Sequence, residues 1–145
     1  MITGFSHIYL PVRDVDEAIE FYTGMLGLRL LRKWDMGNGR PAAYLTLGGV
    51  LLELNLANRP LPAAEGRVES RIGLTVSDMD ALMTELRSKG ATVTREPYEA
   101  RTFWGRQAGI QDPSGNGISL REWREPDGPE FDGWQPTSDG VLRLA

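Results

Sequence analysis

Apolar positions along the chain change period in a fixed order. Residues 5–12 (Phe-Ser-His-Ile-Tyr-Leu-Pro-Val) are β-branched and aromatic enough to predict a strand, with Pro11 near its end, where a missing donor is tolerated. Behind Asp14 and Glu17, spaced as a capping box, Val15, Ala18, Ile19, Tyr22 and Leu26 recur at helical spacing and predict a core-facing stripe, closed by Gly24 and Gly27. Strands are then expected over residues 28–36, 41–47 and 50–56, separated by Gly37-Asn38-Gly39 and Gly48-Gly49. The order so read is β-α-β-β-β.

Residues 57–68 carry two prolines and a glycine and break every period, which marks a linker. After it the pattern restarts: a strand over 69–76, a helix capped by Ser77 or Asp78 and running to about Lys89, Gly90 as its stop, then strands over 91–97, 103–112 and 117–123. Ile8 and Ile72, Leu10 and Leu74, Val12 and Val76, Asp14 and Asp78, and Asp16 and Asp80 each stand 64 positions apart. Such regularity is the signature of an internal duplication. Between the last two strands, Asp112-Pro113-Ser114-Gly115-Asn116-Gly117 predicts a tight reversal: Pro fixes one φ, and Gly and Asn tolerate positive φ. The expected fold class is α+β, with module one at 3–56, the linker at 57–68 and module two at 69–124. Residues 125–145, rich in Asp, Pro and Gly yet holding Phe131, Trp134, Val141 and Leu142, form a tail that either frays or docks on the body or on a partner subunit.

Composition narrows the partners. With 145 residues, 41% of them hydrophobic, the chain can bury a core as a single domain made of the two modules. Its net charge of −4, with no Lys/Arg-rich run, argues against a nucleic-acid groove and against an anionic membrane surface. The absence of cysteine removes disulfides, thiolate nucleophiles and Cys-based zinc sites. No apolar run approaches the ~20 residues needed to span a bilayer and no secretory leader pattern opens the chain, so a cytoplasmic location is expected.

His7 in the first strand, the helix exit Phe21-Tyr22-x-x-x-Leu26-Gly27-Leu28, Trp104-Gly105-Arg106 ahead of the penultimate strand and the Asp112-Pro113-x-Gly115-Asn116 turn occur in the order and spacing of one known family. Over residues 3–124 the chain resembles the glyoxalase/bleomycin-resistance/extradiol-dioxygenase superfamily, the vicinal oxygen chelate proteins. The resemblance implies two tandem βαβββ modules whose curved mixed sheets form a half-open barrel cavity, a small-molecule ligand, and a homodimer. In metal-using members it implies one divalent metal held by residues of the first and last strands of both modules. Those positions are His7 and Glu53 in module one, which match as metal ligands, and Arg71 and Ser119 in module two, which do not. A guanidinium cannot coordinate and a hydroxyl does so weakly, so the shell is half complete. Neither Glu69 nor Glu122 completes it cleanly under strand alternation.

Glu53 lies in an otherwise apolar strand and therefore requires a partner. One candidate is a metal shared with His7; another is Arg71, whose charge would replace the cation. Alternation places Tyr9 on the His7 face, Leu51 and Asn55 on the Glu53 face, Gly73 and Thr75 on the Arg71 face, and Arg121 on the Ser119 face. Arg71 and Arg121 suit a carboxylate or phosphate, while Trp34, Tyr44, Phe103 and Trp104 suit a cavity wall for an organic ligand. Three functions are compatible with these residues. The expected one is binding of a small organic compound, anionic or aromatic, without a complete metal site. The others are a divalent-metal-dependent lyase, isomerase, dioxygenase or thiol transferase using His7 and Glu53, and a metal-free acid/base enzyme with Glu53 or His7 as catalytic base.

Overall fold

The computed structural model describes residues 1–2, 4, 6–59, 61, 69–100 and 105–123. Trp104, Phe103, most of the linker and the tail from residue 125 onward lie outside the described residues. The chain divides into two compact units, the first formed by residues 1–66 together with 112–116, the second by the remainder.

The first unit contains β1 (Ile8–Val12), α1 (Val15–Glu20), β2 (Arg29–Asp35), β3 (Pro41–Leu47) and β4 (Val50–Leu56). Its sheet runs β1-β4-β3-β2, with β1 parallel to β4 and the other neighbours antiparallel. The second unit repeats this plan with β5 (Ser70–Thr75), α2 (Met79–Ser88), β6 (Thr92–Glu99), β7 (Gly105–Gln111) and β8 (Gly117–Trp123), in the order β5-β8-β7-β6. Each sheet is mixed and open, so the duplicated βαβββ pattern is present as expected. Among the described residues no helix is long and apolar enough to cross a membrane.

Both helices start where the sequence places their caps. The Asp14 carboxylate accepts from the backbone N–H groups of Asp16 (2.8 Å) and Glu17 (3.0 Å), satisfying donors that α1 itself leaves open. For α2 the cap is Asp78 rather than Ser77, accepting from Ala81 at 2.9 Å. The Met79 N–H, just behind it, donates to Glu122 Oε1 on β8 at 2.7 Å. Glu122 is thereby absorbed in holding a helix start. The first helix is shorter than its apolar period suggests: regular turns end at Glu20 and Phe21–Met25 form a wider π-helical turn. Thr23 Oγ1 bonds the Ile19 carbonyl at 2.7 Å there, and Gly27, at φ +72°, reverses the chain, so Leu28 precedes β2 instead of opening it. Val15, Ala18 and Tyr22 are buried as the stripe requires, while Ile19 and Leu26 are only half-buried.

In the first sheet Leu10, Val12, Ala43, Leu45, Leu52 and Leu54 are buried, and α1 packs against β3 and β4. The alternate positions, facing away from that helix, carry Tyr9, Trp34, Tyr44 and Glu53. In the second sheet Ile72, Ala108, Ile110, Ile118 and Leu120 form the core layer with Met79, Met83 and Leu86 of α2.

The Asp112–Asn116 turn belongs to the first unit although both strands that flank it belong to the second. Asp112 Oδ1 accepts from the Asn116 N–H at 2.8 Å, closing the turn on itself, and Gly115 takes φ +85°. Asp112 Oδ2 accepts from Asn116 Nδ2 at 2.9 Å and from the Tyr22 hydroxyl at 3.0 Å. Asn116 Nδ2 also donates to the Pro11 carbonyl, and the Arg13 N–H donates to Ser114 Oγ, both at 2.9 Å. Asp112, Ser114 and Asn116 are all buried, so each polar letter of the turn is used.

Candidate functional site

The partner that Glu53 requires comes from its own unit. The parallel register sets Tyr9 beside Glu53, and His7, two residues earlier, shares that face. His7 Nε2 lies 2.9 Å from Glu53 Oε2, and Asn55 Nδ2 donates to Glu53 Oε1 at 2.6 Å. Only 9% of Glu53 is exposed, so both carboxylate oxygens need these donors. At the other ring nitrogen, His7 Nδ1 is 2.7 Å from Ser6 Oγ. The contact with Glu53 requires a proton on Nε2, while Nδ1 can exchange a hydrogen bond with the serine hydroxyl in either sense.

Aromatic rings continue this face across the sheet. Tyr44 is the cross-strand neighbour of Glu53, and its ring meets His7 edge-on at 6.3 Å between centroids. Trp34 lies 4.6 Å from Tyr44 on the opposite flank. Trp34, Tyr44 and His7 thus form a row from β2 to β1, with Tyr9 half-exposed beside it. A separate cavity of about 380 Å³ opens at the carboxyl end of β1 and β4, bounded by Val12, Arg13, Ala57, Asn58, Arg59 and Leu61, and includes none of these groups.

The remaining expected residues stand in the second unit. Ser119 is buried on β8 between Gly73 of β5 and Gly109 of β7, and its Oγ accepts from Gln107 Nε2 at 2.9 Å. Arg121, two residues along on the same face, holds its guanidinium 5.8 Å from the Trp123 ring centroid. Arg71 is exposed and falls in a β-bulge between Ser70 and Ile72, where strict alternation no longer sets the side-chain direction. The structure therefore brings His7, Glu53, Tyr9, Tyr44 and Trp34 together on one sheet, and Ser119 with Arg121 on the other.

The chain has one histidine and no cysteine, and among the described residues no three His, Asp or Glu side chains gather to hold a cation. Both nitrogens of His7 and both oxygens of Glu53 already have protein partners. What the group can do is present an imidazole held at fixed orientation between Glu53 and Ser6.

Sequence reasoning placed Asn55 on the Glu53 face without giving it a role, and missed Ser6 and Gln107. Asn55 was readable as the i+2 neighbour of a buried carboxylate. Gln107 becomes visible only when the antiparallel register sets it beside Arg121, one step from Ser119.

Comparison with known proteins shows the family of the chain. The family model described as "Glyoxalase/Bleomycin resistance protein/Dioxygenase superfamily" matches residues 4–120. Over 119 residues the chain is 32% identical to a probable lactoylglutathione lyase of Vibrio cholerae, spanning 79% of this chain and 86% of that protein. A lactoylglutathione lyase of Arabidopsis thaliana is 31% identical over 121 residues, or 80% of this chain, which spans only 43% of the plant protein. Among solved structures, an antibiotic binding protein from Streptomyces sp. CB03234 superposes with a TM-score of 0.61 at 26% identity, covering 84% of this chain and 98% of that one.

Proposed function

Since the chain belongs to the glyoxalase/bleomycin resistance protein/dioxygenase superfamily, we propose that it binds a small organic ligand, aromatic or anionic, without a resident metal. The observation that carries this reading is the closed His7–Glu53–Asn55 set beside the Trp34–Tyr44 row. Both oxygens of this carboxylate are held by protein donors, so a cation would have to displace His7 or Asn55. The aromatic faces next to it are what an apolar ligand body needs, with a few fixed polar groups to orient it. Likeness to an antibiotic binding protein supports the same conclusion.

A second reading is metal-free acid/base catalysis, favoured by the 2.9 Å contact that fixes the His7 ring. Here His7 Nδ1 would take a proton from the ligand, and Glu53 would stabilise the imidazolium that results. Turnover would resist chelators and fall sharply in Glu53→Gln.

Divalent cations test the metal-free premise common to both readings. Elemental analysis of purified protein is expected to find no stoichiometric divalent metal, and zinc, nickel, manganese or iron(II) to leave its melting temperature unchanged. One metal per chain, or a cation-induced rise in melting temperature that vanishes in His7→Ala, would overturn it. Binding itself is read from quenching of tryptophan fluorescence by aromatic compounds, which should weaken in Trp34→Leu.

A further inference from the structure

In the second unit a hydrogen-bonded chain crosses three strands and ends at Ser119. Arg95 Nη1 donates to the Tyr98 hydroxyl oxygen at 3.1 Å, with the guanidinium 5.3 Å from the centroid of that ring. Tyr98 donates to Gln107 Oε1 at 3.1 Å, and Gln107 Nε2 donates to Ser119 Oγ at 2.9 Å. The direction of the chain is set at its exposed end. A guanidinium has only N–H to give, so the phenol oxygen accepts from Arg95 and its own hydrogen passes to the Gln107 carbonyl. The amide then faces Ser119 with its N–H, and the serine oxygen accepts.

One hydrogen is left over, the serine's own. Ser119 is 4% exposed, and buried polar hydrogens are rarely left without an acceptor, yet among the described residues none receives this one. The strands on either side offer no side chain to take it, because the register neighbours are Gly73 and Gly109. Among the described residues a Cβ built on Gly73 would touch nothing within 4 Å, so none of them closes that flank. Arg121 follows on the same face of β8, beside Gln107 and Thr75.

We propose that Ser119 donates a hydrogen bond to an oxyanion of the ligand, a carboxylate, phosphoryl or sulfonyl oxygen, with Arg121 supplying charge on the same face. Tyr98 and Gln107 are positioning residues: they touch no ligand and hold the serine in its donor state. The inference rests on the ligand-binding reading above and narrows it to ligands that present a negative acceptor at this point. With one lone pair taken by Gln107, the serine still has its own hydrogen to give.

The test is an NMR titration of the full chain with benzenesulfonate, inorganic phosphate and, as a neutral control, benzyl alcohol. The Ser119 and Gln107 amides report this site, and the Trp34 indole reports the first sheet. At least one of the two anions is expected to shift the Ser119 signals saturably, while benzyl alcohol leaves them in place; a phosphate response shows that the oxyanion suffices, a response to benzenesulfonate alone that an organic body is also read. In Gln107→Glu the new carboxylate accepts from both Tyr98 and Ser119 and consumes the donor hydrogen. Benzenesulfonate, anionic throughout, should then bind at least about tenfold more weakly, and recover as pH falls through the ordinary glutamate range near about 4. Tyr98→Phe, which keeps both Gln107 and Ser119, should show a smaller loss. The inference is overturned if neither anion moves Ser119, or if affinity is unchanged in both variants. Shifts confined to Trp34 would leave the ligand-binding reading standing while removing this one.

Discussion

Tyr22 and Asp112 stand 90 positions apart in the chain, and a 3.0 Å hydrogen bond from phenol to carboxylate joins them in the interior of the first unit. Burial, chiefly, and then the adjacent Asp112 charge and its hydrogen bond push the Tyr22 phenol far above its ordinary range. In the unfolded chain the same phenol ionises near about pH 10. Above that pH the folded protein keeps a proton that the unfolded chain has lost, so stability falls as pH rises. Denaturant melts between pH 8 and 11 should show this alkaline decline in the wild type. Tyr22→Phe should be less stable by about 1–2 kcal/mol at pH 8 and lose less on going to pH 11. Parallel profiles would refute the assignment.

The two helix caps differ in how much support surrounds them. Asp14 alone receives two N–H groups of α1, whereas Asp78 shares the start of α2 with Glu122. Asp14→Ala should therefore cost about 1–2 kcal/mol and Asp78→Ala about 0.5–1 kcal/mol. Adding Glu122→Met, which removes the acceptor, to Asp78→Ala should cost more than the sum of the two singly, because each single change leaves the other acceptor in place. Urea unfolding of the four variants measures both differences.

Gly109 has no room for a methyl group. A Cβ there would stand 2.8 Å from Thr94 Oγ1 and 3.3 Å from Arg95 Cβ, in the irregular pairing of β6 with β7. Gly109→Ala is expected to destabilise by about 1–3 kcal/mol, with part of the loss restored by Thr94→Ala. A neutral Gly109→Ala in thermal unfolding would contradict the register.

Arg106 offers two N–H groups to Asp80, at 3.0 and 2.8 Å, and approaches Glu122 at 3.7 Å. Those hydrogen bonds first, and the guanidinium charge second, hold the Asp80 carboxyl below its usual range. A depressed acid contributes stability above its unfolded value and loses it as pH falls through the folded one. Asp80 is open to solvent, so the contribution is small and salt-screened. Carboxyl NMR titration of Arg106→Met should show Asp80 returning upward to the ordinary carboxylate range, while an unmoved titration would show that Arg106 is not the cause.

The duplicated fold was legible because periodicity and capping are local: Asp14 and Asp78, 64 positions apart, each cap a helix of the same module plan. The bounds of β3, β4 and β8 agree with the apolar runs that predicted them. What the period could not show was the π-helical turn at Phe21–Met25, because Thr23 and Gly27 act through single hydrogen bonds and one positive φ. At the site, strand alternation put His7, Tyr9 and Glu53 on one face, and the need to pair Glu53 followed from burial alone. That its partners would be His7 and Asn55 depended on parallel register and rotamers, which a one-dimensional pattern does not carry. Arg71 shows the converse case, since one extra residue in β5 cancels an alternation argument that is sound on either side of it.

The chain cannot be divided at its linker into two self-sufficient halves. A polypeptide ending at Gly66 would leave the Tyr22 phenol and the Pro11 carbonyl without the groups that satisfy them, since both are met by residues 112–116. The complementary fragment would carry Asp112 and Asn116 with their own interior missing. Fragments cut within 57–68 should accordingly refold as a pair rather than alone.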